Sequence, residues 1–207
     1  MNVSFRIGSA TTIESLEIAL HSGLYEIVRQ CFAYPPYNEN VTFDKVRFYF
    51  QRHVESGVLF LAYNESNPVG FIAALPLEIT RDFKELSLLD LWVVRGETRI
   101  RFNDDFLVAE TGFSSRDFQY VADLGVGIEF RRRGLAHQLF SALFSHFGDT
   151  QPFLVRAIAD NKYSYLVDFY QKLGFRSMQV TQTMQYRNSD GQIQSSDRLI
   201  FVKLPAR

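Results

Sequence analysis

The sequence predicts an α/β fold in which strands and helices alternate along the chain. Strand-length apolar runs, several rich in β-branched residues, alternate with longer segments whose apolar residues recur at helical spacing. One stretch, 121–147, joins a strand pattern directly to a helical pattern through a loop of arginine and glycine. No linker, repeat or low-complexity tract interrupts these patterns, so we expect a single domain over residues 1–207.

Composition narrows the classes of function. Apolar residues make up 46% of the 207 residues and include 20 Phe and 10 Tyr, which is enough for a large core. A net charge of −1 argues against general binding to nucleic acid or to an anionic membrane. The single cysteine, Cys31, lies in an apolar helical pattern, and we expect it in the core. No apolar run has transmembrane length and no signal-peptide pattern is present, so we expect a cytoplasmic protein.

Patterning in the first third of the chain predicts two helices between strands. Thr11 and Glu14 have the spacing of a capping box for the first helix, and a break is expected at Ser22 and Gly23. His53 lies on or beside the apolar face of the second helix and is expected to be a packing residue. The predicted elements are a strand at Val3–Ile7, a helix from Ile13 to Cys31, a loop around Pro35 and Pro36, a helix that begins near Asn40 or Thr42, and a hairpin of Val58–Tyr63 and Val69–Leu75.

Between the hairpin and the next strong strand, the segment Leu77–Asp117 reads as an additional β-rich excursion. After it come a central strand and a helix, and then a strand, a helix ending at Gly174 and two closing strands. The predicted strands are Leu88–Val94, Arg99–Phe102 and Phe106–Glu110 in the excursion, then Phe118–Val126, Phe153–Ile158, Arg176–Tyr186 and Leu199–Leu204.

The loop after the central strand has the features of an anion site. A strand that leads directly into a helix leaves unpaired backbone N–H groups at the positive end of the helix dipole. Gly134 allows another group to approach the backbone closely, and Ala136 keeps the following exposed position small. Three consecutive arginines, 131–133, add positive charge. A phosphate or pyrophosphate suits such a site best, although a short arginine run by itself is usually a solvated surface.

Two motifs give the chain a family resemblance. The arrangement Arg131-Arg132-Arg133-Gly134-Leu135-Ala136, after a strand that contains Leu124-Gly125-Val126, resembles the acyl-CoA pyrophosphate motif of the GNAT superfamily of N-acetyltransferases. Downstream, Asp168-Phe169-Tyr170-Gln171-Lys172-Leu173-Gly174-Phe175 is close to the FYxKLGF signature of that superfamily. The resemblance implies a central mixed sheet, mostly antiparallel and flanked by helices, here with a β-rich insertion before the central strand.

The same resemblance implies where acetyl-CoA binds. The backbone of Leu124 and Val126 should hydrogen-bond the pantetheine arm, and the loop with the helix start should hold the pyrophosphate. Many members place an asparagine about seven residues before the matching tyrosine, whereas Asn161 lies nine residues before Tyr170 here. Either the helix start differs, or Ser164 or a backbone group replaces that amide. The implied cofactor-binding residues are Leu124, Val126, Arg131, Arg132, Arg133, Gly134, Leu135, Ala136, His137 and Asn161.

Amide formation from a thioester requires a base for the ammonium group and a proton for the leaving thiolate. By resemblance, Tyr170 supplies that proton. Asp123 is the first candidate for the base, and a hydrogen-bonded structural carboxylate is an equal alternative reading of it. Glu129, Glu110 or a water chain are further alternatives. No HExxH, cysteine–histidine cluster or GxSxG occurs, so neither metal nor serine-hydrolase chemistry is expected.

The function implied is transfer of an acetyl or longer acyl group from CoA to a primary amine of a small molecule or peptide. A catalytically silent acyl-CoA sensor of the same fold is the alternative. We expect acceptor choice to reside in Phe32–Phe43, with Tyr34 and Tyr37, and in Leu77–Asp117, with Trp92. The latter holds nine acidic against six basic residues, and an acidic, aromatic wall would favour a cationic amine. A solvated hairpin face or a homodimer contact is the alternative reading of that segment.

Overall fold

The structure is a computed structural model that describes residues 5–34, 37–82, 87–160, 163–188 and 190–205. The chain divides into two compact units, each of which is described by itself. The first unit contains Met1–Ala74, Asp123–Phe147 and Tyr186–Ile193. The second unit contains Leu75–Ala122, Gly148–Gln185 and Gln194–Arg207. The single domain expected over 1–207 stays a prediction.

Nine strands and six helices follow one another along the described residues. Short turns of 3₁₀-helix occur at Leu77–Asp82 and Ile128–Phe130. In chain order the elements are β1 (Arg6–Ala10), α1 (Ile13–Ala19), α2 (Tyr25–Phe32), α3 (Phe43–Ser56), β2 (Val58–Asn64), β3 (Asn67–Pro76), β4 (Leu91–Arg95), β5 (Thr98–Phe102), α4 (Asp104–Thr111), β6 (Gln119–Val126), α5 (Leu135–Phe147), β7 (Phe153–Ile158), α6 (Ser164–Lys172), β8 (Arg176–Arg187) and β9 (Ile193–Lys203).

The sheet is mixed and mostly antiparallel. In the first unit, β1 pairs with β2 and β2 pairs with β3, both antiparallel. In the second unit, the first residues of β6 pair with β7 in parallel, and β7 pairs with β9 antiparallel. Within the first unit the hydrogen-bonded order is β1-β2-β3, and within the second unit it is β6-β7-β9-β8-β4-β5. The predicted fold class, one mixed sheet flanked by helices, is confirmed.

Helix α1 begins at Ile13 as predicted, but its N-cap is one residue later than the sequence pattern predicts. Thr12 is the N-cap, and its hydroxyl oxygen accepts a hydrogen bond from the Ser15 amide at 3.1 Å. The Ser15 hydroxyl in turn accepts from the Thr12 amide at 3.0 Å. With Thr12 as the N-cap, the third helical position is Ser15 and not Glu14. The Ser15 hydroxyl therefore closes the capping box, a role that glutamate or glutamine often has.

The predicted break at Ser22 and Gly23 is a kink instead of an end. The helix passes from α1 through a π-helical turn, Leu20–Leu24, into α2. Gly23 has a φ of 134°, a conformation that side chains with a Cβ rarely adopt. The first unit's core lies beneath this kinked pair and α3, with Leu16, Leu24 and Phe50 almost fully buried.

His53 on α3 is fully buried, as a packing residue would be. Its Nδ1 lies 3.0 Å from the backbone oxygen of Tyr49, which fits an N–H donor at that nitrogen. Among the described residues, its Nε2 has no hydrogen-bond partner. Burial lowers the pKa of His53 to about 4, so the ring is neutral at pH 7.

In the second unit, the predicted strand Phe106–Glu110 is wrong, because this segment belongs to helix α4. The side chain of Asn103 accepts a hydrogen bond from the Phe106 amide at 3.0 Å and starts the helix. Gly112 ends it in the left-handed conformation, with a φ of 81°. The cap and the glycine outweigh the strand-like run of apolar residues between them.

Two other boundaries differ from the prediction. Strand β1 is Arg6–Ala10, and residues 3 and 4 of the predicted strand Val3–Ile7 lie outside the described residues. Strand β9 begins at Ile193, earlier than predicted, because Asn188 closes the preceding turn by accepting hydrogen bonds from the Asp190 and Gln192 amides. No helix among the described residues has the length and apolar character needed to cross a membrane.

Candidate active site

The end of β6 leads into α5 through a short, exposed loop in the first unit. The amide of Gly127 donates to the Val69 carbonyl at 2.9 Å, and a 3₁₀ turn follows. Gly134 has a φ of 79°, and its carbonyl accepts the Gln138 amide at 3.1 Å, the first bond of the helix. A Cβ placed on Gly134 would have no neighbouring atom within 4 Å. The space over this glycine is therefore open to a ligand.

Two glycines at the end of β6 are required by packing. A Cβ on Gly125 would lie 2.4 Å from the ring of Phe71 and 3.0 Å from the Cys31 sulfur. A Cβ on Gly127 would lie 2.8 Å from the side chain of Ile27. The two carbon–carbon distances, 2.4 and 2.8 Å, are shorter than carbon contacts in packed proteins. These glycines thus let α2 and β3 approach the strand that leads to the loop.

The Arg131 side chain points back toward the end of β6. Its Nε donates to the Val126 carbonyl at 3.0 Å, and its Nη2 lies 4.0 Å from the Cys31 sulfur. Burial raises the pKa of the Cys31 thiol, and the Arg131 charge opposes that increase. Cys31 is only partly exposed and its thiol contacts the Val126 carbonyl at 3.7 Å. Arg131 therefore braces the loop, a role that its position in the arginine run did not indicate.

The other cations of the loop differ in their surroundings. Arg132 is exposed, with a φ of 61°, and none of the described carboxylates forms an ion pair with it. Arg133 is exposed and lies over the Phe130 ring at 5.7 Å. His137 is exposed in the first turn of α5. Arg132 is therefore exposed and available to an anion.

The start of α5 contributes backbone groups and not side chains. Leu135 is 2% exposed, so its side chain belongs to the core together with Leu139 and Phe140. Ala136 is half-buried. The helix has 13 residues, long enough for its first amides to carry the positive end of a helix dipole. Helix starts of this kind bind phosphate groups through their N–H groups.

Asp123 lies in β6 three residues before Val126 and is half-buried, as Leu124 is. The Tyr49 hydroxyl, from α3, donates a hydrogen bond to Asp123 Oδ2. This contact fits the structural reading of Asp123 and leaves its role as a base untested. Tyr49 is a residue that the sequence patterns did not indicate. The signal was weak: an aromatic residue beside the apolar face of α3.

In the second unit, Tyr170 lies on α6 and is 7% exposed. Its ring lies 5.8 Å from that of Phe175 and 5.6 Å from that of Phe201, measured between centroids. The helix ends two residues later, at Lys172, and the Tyr170 carbonyl accepts a hydrogen bond from the Phe175 amide at 3.0 Å. Gly174 has a φ of 87°, which confirms it as the residue after the helix C-cap. Asn161 lies outside the described residues.

The alternative base candidates are placed as follows. Glu110 lies on α4 in the second unit and forms an ion pair with Arg95, with 3.0 Å between Glu110 Oε1 and Arg95 Nη1. Glu129, in the first unit, is exposed in the loop after β6. Among the described residues, no group of His, Cys, Asp and Glu could hold a metal ion.

A cleft of about 550 Å³ opens in the first unit between α2 and residues 127–130. Glu26, Arg29 and Tyr34 supply polar groups to it. Arg29 Nε and Glu26 Oε2 are 2.8 Å apart, and Arg29 Nη1 donates to the Tyr34 hydroxyl at 3.0 Å. That contact with Arg29 lowers the pKa of Glu26. The sequence patterns did not indicate this cleft.

Two loops of the first unit meet beside α3. Glu39 and Asn188 form an isolated antiparallel bridge, and the Asn40 amide donates to the Arg187 carbonyl at 3.4 Å. The Tyr37 ring lies 5.1 Å from that of Phe32. Residues 35 and 36 lie outside the described residues. The expected acceptor segment Phe32–Phe43 is therefore joined to the β8–β9 turn, which sequence reasoning left out.

The other expected acceptor segment, Leu77–Asp117, lies in the second unit. At Trp92 the structure differs from an acidic, aromatic wall, because Arg99 and Arg101 lie over the indole ring, at 5.1 and 5.6 Å from its centroid. None of the described carboxylates forms an ion pair with either arginine, so the surroundings of the ring are cationic. A cationic amine would be repelled there.

Comparisons with known proteins agree with this fold. Residues 102–187 match the family model of the acetyltransferase (GNAT) domain. The ribosomal-protein-S18-alanine N-acetyltransferase of Escherichia coli superposes with a TM-score of 0.58 over 99% of this chain and 96% of its own, at 14% identity. The ribosomal-protein-alanine N-acetyltransferase of Brucella melitensis gives 0.59 over 96% and 99%, at 16% identity. The sequence matches none of the curated proteins with which it was compared.

A third structure adds a ligand to the comparison. The protein yncA of Salmonella typhimurium, solved with its cofactor acetyl-CoA, gives a TM-score of 0.60 over 99% of this chain and 95% of its own, at 11% identity. The matched segment and the shared fold agree with the resemblance to the GNAT superfamily of acetyltransferases. At these identities the solved structures show the fold alone.

Proposed function

We propose that the protein is an N-acetyltransferase that moves an acetyl group from acetyl-CoA to a primary amine of a small molecule or peptide. The observation that carries the proposal is the connection from β6 into α5. There, open space over Gly134 adjoins an exposed arginine and the first amides of a 13-residue helix. Such a site suits a pyrophosphate by both charge and hydrogen bonding.

The residues of the loop would divide the work of holding acetyl-CoA. The backbone at Gly134, Leu135 and Ala136 would bind the pyrophosphate, and Arg132 would neutralise its charge. Arg131 would act indirectly, because its guanidinium group is engaged with the Val126 carbonyl. The backbone of Leu124 and Val126 would bind the pantetheine arm. Arg133, His137 and Asn161 remain proposed contacts.

The proposed chemistry assigns two proton transfers to this chain. Asp123 takes a proton from the ammonium group of the acceptor, whose nitrogen then forms a bond to the thioester carbon. The carbon–sulfur bond breaks, and the Tyr170 hydroxyl donates a proton to the leaving sulfur. The attacking nitrogen releases its second proton to water, and water returns a proton to the Tyr170 phenolate. The products are the amide and CoA. The position of Tyr170 at the end of α6, in a nearly buried setting, supports a defined orientation of its hydroxyl.

For the acceptor, we propose the amine of a small molecule or a peptide chain. Support comes from the cleft beside α2, where Glu26 offers a carboxylate and Tyr34 an exposed ring. The adjoining loops, 37–40 and 187–188, could order a bound peptide through their backbone groups. Two similar structures are named as alanine N-acetyltransferases of ribosomal proteins, so peptides with an N-terminal alanine are one class to test.

Release of free thiol from acetyl-CoA tests the proposal directly. The purified full chain is incubated with acetyl-CoA and either polyamines, amino-acid amides or peptides with an N-terminal alanine, and each mixture is compared with one lacking amine. We expect amine-dependent thiol release with at least one class. Tight CoA binding without thiol release for any amine would instead indicate the silent sensor. Failure to bind CoA would contradict the proposed function.

A further inference from the structure

The hairpin of β4 and β5 has one covered face and one open face. Toward α4 it presents Val93 and Phe102, which are both fully buried. The Phe106 ring of α4 lies 5.4 Å from that of Phe102, and Arg95 forms its ion pair with Glu110 of the same helix. Helix α4 therefore covers this face.

The open face carries one aromatic residue and two cations. Strand register places Trp92 opposite Arg101 and Val94 opposite Arg99, so all four side chains lie on the same face. Trp92 is 51% exposed and Val94 is 39% exposed. Exposed tryptophan with flanking arginine is a composition typical of the centres of binding surfaces. We call these four residues the Trp92 face.

The two arginines of the Trp92 face are exposed, and none of the described carboxylates forms an ion pair with either. Each guanidinium group contacts the indole ring. Stacking on the ring holds each guanidinium group in place while its N–H groups remain free to donate. The two guanidinium groups are therefore positioned to bind an anionic group.

The edge of the hairpin is also open. β5 is the last strand in the hydrogen-bonded order, and no strand among the described residues pairs with its outer side. An extended peptide can add to such an edge through main-chain hydrogen bonds. Arg99 and Arg101 are two positions apart, so they match acidic side chains at alternate positions of an added strand.

Charge favours an acidic peptide at this edge over two other occupants, a second copy of the chain and a nucleic acid. Pairing of β5 with β5 of a second copy would bring arginines of like charge close together, which opposes self-association. A nucleic acid requires a broad basic surface, whereas the chain has a net charge of −1 and Glu97 lies in the turn of this hairpin. A short acidic peptide needs only the two cations that are present.

We propose that the Trp92 face and the free edge of β5 form a docking site for an extended, acidic segment of a partner protein. The segment adds to β5 as a strand, places acidic side chains on Arg99 and Arg101, and covers the Trp92 ring. The site is independent of acetyl transfer, because it uses none of the residues assigned to that reaction.

Fluorescence anisotropy of a dye-labelled peptide of alternating glutamate and threonine tests the proposal with the full-length chain. We expect saturable binding that weakens with salt, and no binding of the same peptide with lysine in place of glutamate. Arg99→Gln and Arg101→Gln should each weaken binding about threefold or more. Trp92→Ala should weaken it about tenfold or more.

Arg116→Gln is the matched control, because Arg116 belongs to the same segment, is 83% exposed and loses the same charge. Its affinity for the peptide should equal that of the unaltered protein, and circular dichroism should show all variants folded. Peptides methylated on alternate backbone nitrogens give a second readout. One alternating set should abolish binding and the other should not, as expected for a strand paired along one edge.

Several outcomes would overturn the proposal. Equal weakening by Arg116→Gln would indicate non-specific attraction, and unchanged binding in Arg99→Gln and Arg101→Gln would place the peptide elsewhere. Tighter binding of single-stranded oligothymidine, lost in the same variants, would make nucleic acid the ligand. A dimer in sedimentation that Arg99→Gln dissociates would make a second copy the occupant. Each result is distinguishable from loss of acetyltransferase activity.

Discussion

The hydroxyl of Tyr49 donates a hydrogen bond to the carboxylate of Asp123, which joins α3 to the central strand across 74 positions of the sequence. Both residues lie in the first unit and are half-buried. The bond gives Asp123 a fixed orientation, and it leaves the second carboxylate oxygen, Oδ1, outside this contact. The structural and catalytic readings of Asp123 can therefore be separated by changing each partner in turn.

Tyr49→Phe should lower the free energy of unfolding by about 1–2 kcal/mol, since it removes a hydrogen bond to a charged group. Asp123→Asn should change stability much less, because the amide oxygen still accepts the bond, yet it should lower kcat about a hundredfold if Asp123 is the base. Urea denaturation and thiol release measure the two effects. Tyr25→Phe is the control, as its hydroxyl is 3.5 Å from the Val41 carbonyl. An unchanged kcat in Asp123→Asn would leave Asp123 a structural residue.

Gly134→Glu should weaken CoA binding strongly, because it places bulk and negative charge where the pyrophosphate is proposed to bind. Gly112→Glu is a matched control: Gly112 has a φ of 81°, close to the 79° of Gly134, and also has open space around it. Both variants should lose about 1 kcal/mol of stability from the left-handed backbone. Only Gly134→Glu should alter CoA affinity in calorimetry, and equal affinities would rule out the loop as the CoA site.

Tyr170→Phe should lower kcat about a hundredfold or more while CoA affinity is retained, because it removes the proposed acid and keeps the buried ring. Tyr165→Phe is the control on the same helix, where the ring is 60% exposed. The measurement is steady-state thiol release with an active amine, together with calorimetry for CoA. A full kcat in Tyr170→Phe would show that water or another group protonates the thiolate.

Stability should fall in acid because of His53. The folded-state pKa of about 4 lies below the ordinary value of 6.5, so the unfolded chain binds the proton more readily. The stability that the neutral ring confers is present above pH 6.5 and is lost as the pH falls toward 4, by about 3 kcal/mol in total. Urea denaturation between pH 7.5 and 4 measures the slope.

His53→Gln should flatten this pH dependence, whereas His21→Gln, at an exposed position, should leave it in place. If His53→Gln keeps the same slope of unfolding free energy against pH, the loss of stability in acid is due to carboxylates and not to His53. For each variant, the unfolding free energy at one pH is compared with that of the same variant at another pH. A loss of stability that is equal at every pH therefore does not change the result.

The acceptor prediction concerns the first unit. Tyr34→Ala and Tyr37→Ala should raise KM for the amine about threefold or more with little change in KM for acetyl-CoA, since each removes an aromatic wall near the cleft. Trp92→Ala is the comparison from the second unit, and its arginine neighbours predict no effect on a small amine. Unchanged kcat/KM for the amine in both tyrosine variants would place the acceptor pocket elsewhere. A cytoplasmic location and a homodimer stay predictions.

The sequence by itself determined the order of most elements and the connection from strand to helix at 121–147. Local signals suffice there, because apolar periodicity and the turn glycines act within a few residues of one another. The same local reasoning gave the C-terminal glycine of α6. It was wrong for α4, where the Asn103 cap decided the structure of an ambiguous apolar run.

Tertiary structure alone decided which distant groups meet. The Tyr49–Asp123 bond, the contact of Arg131 with the Val126 carbonyl and Cys31, and the bridge from Glu39 to Asn188 all join segments brought together by folding. No spacing in one sequence encodes these contacts, since they depend on how helices and strands pack around the core. The stacking of Arg99 and Arg101 on Trp92 likewise follows from strand register, which a one-residue shift would have reversed.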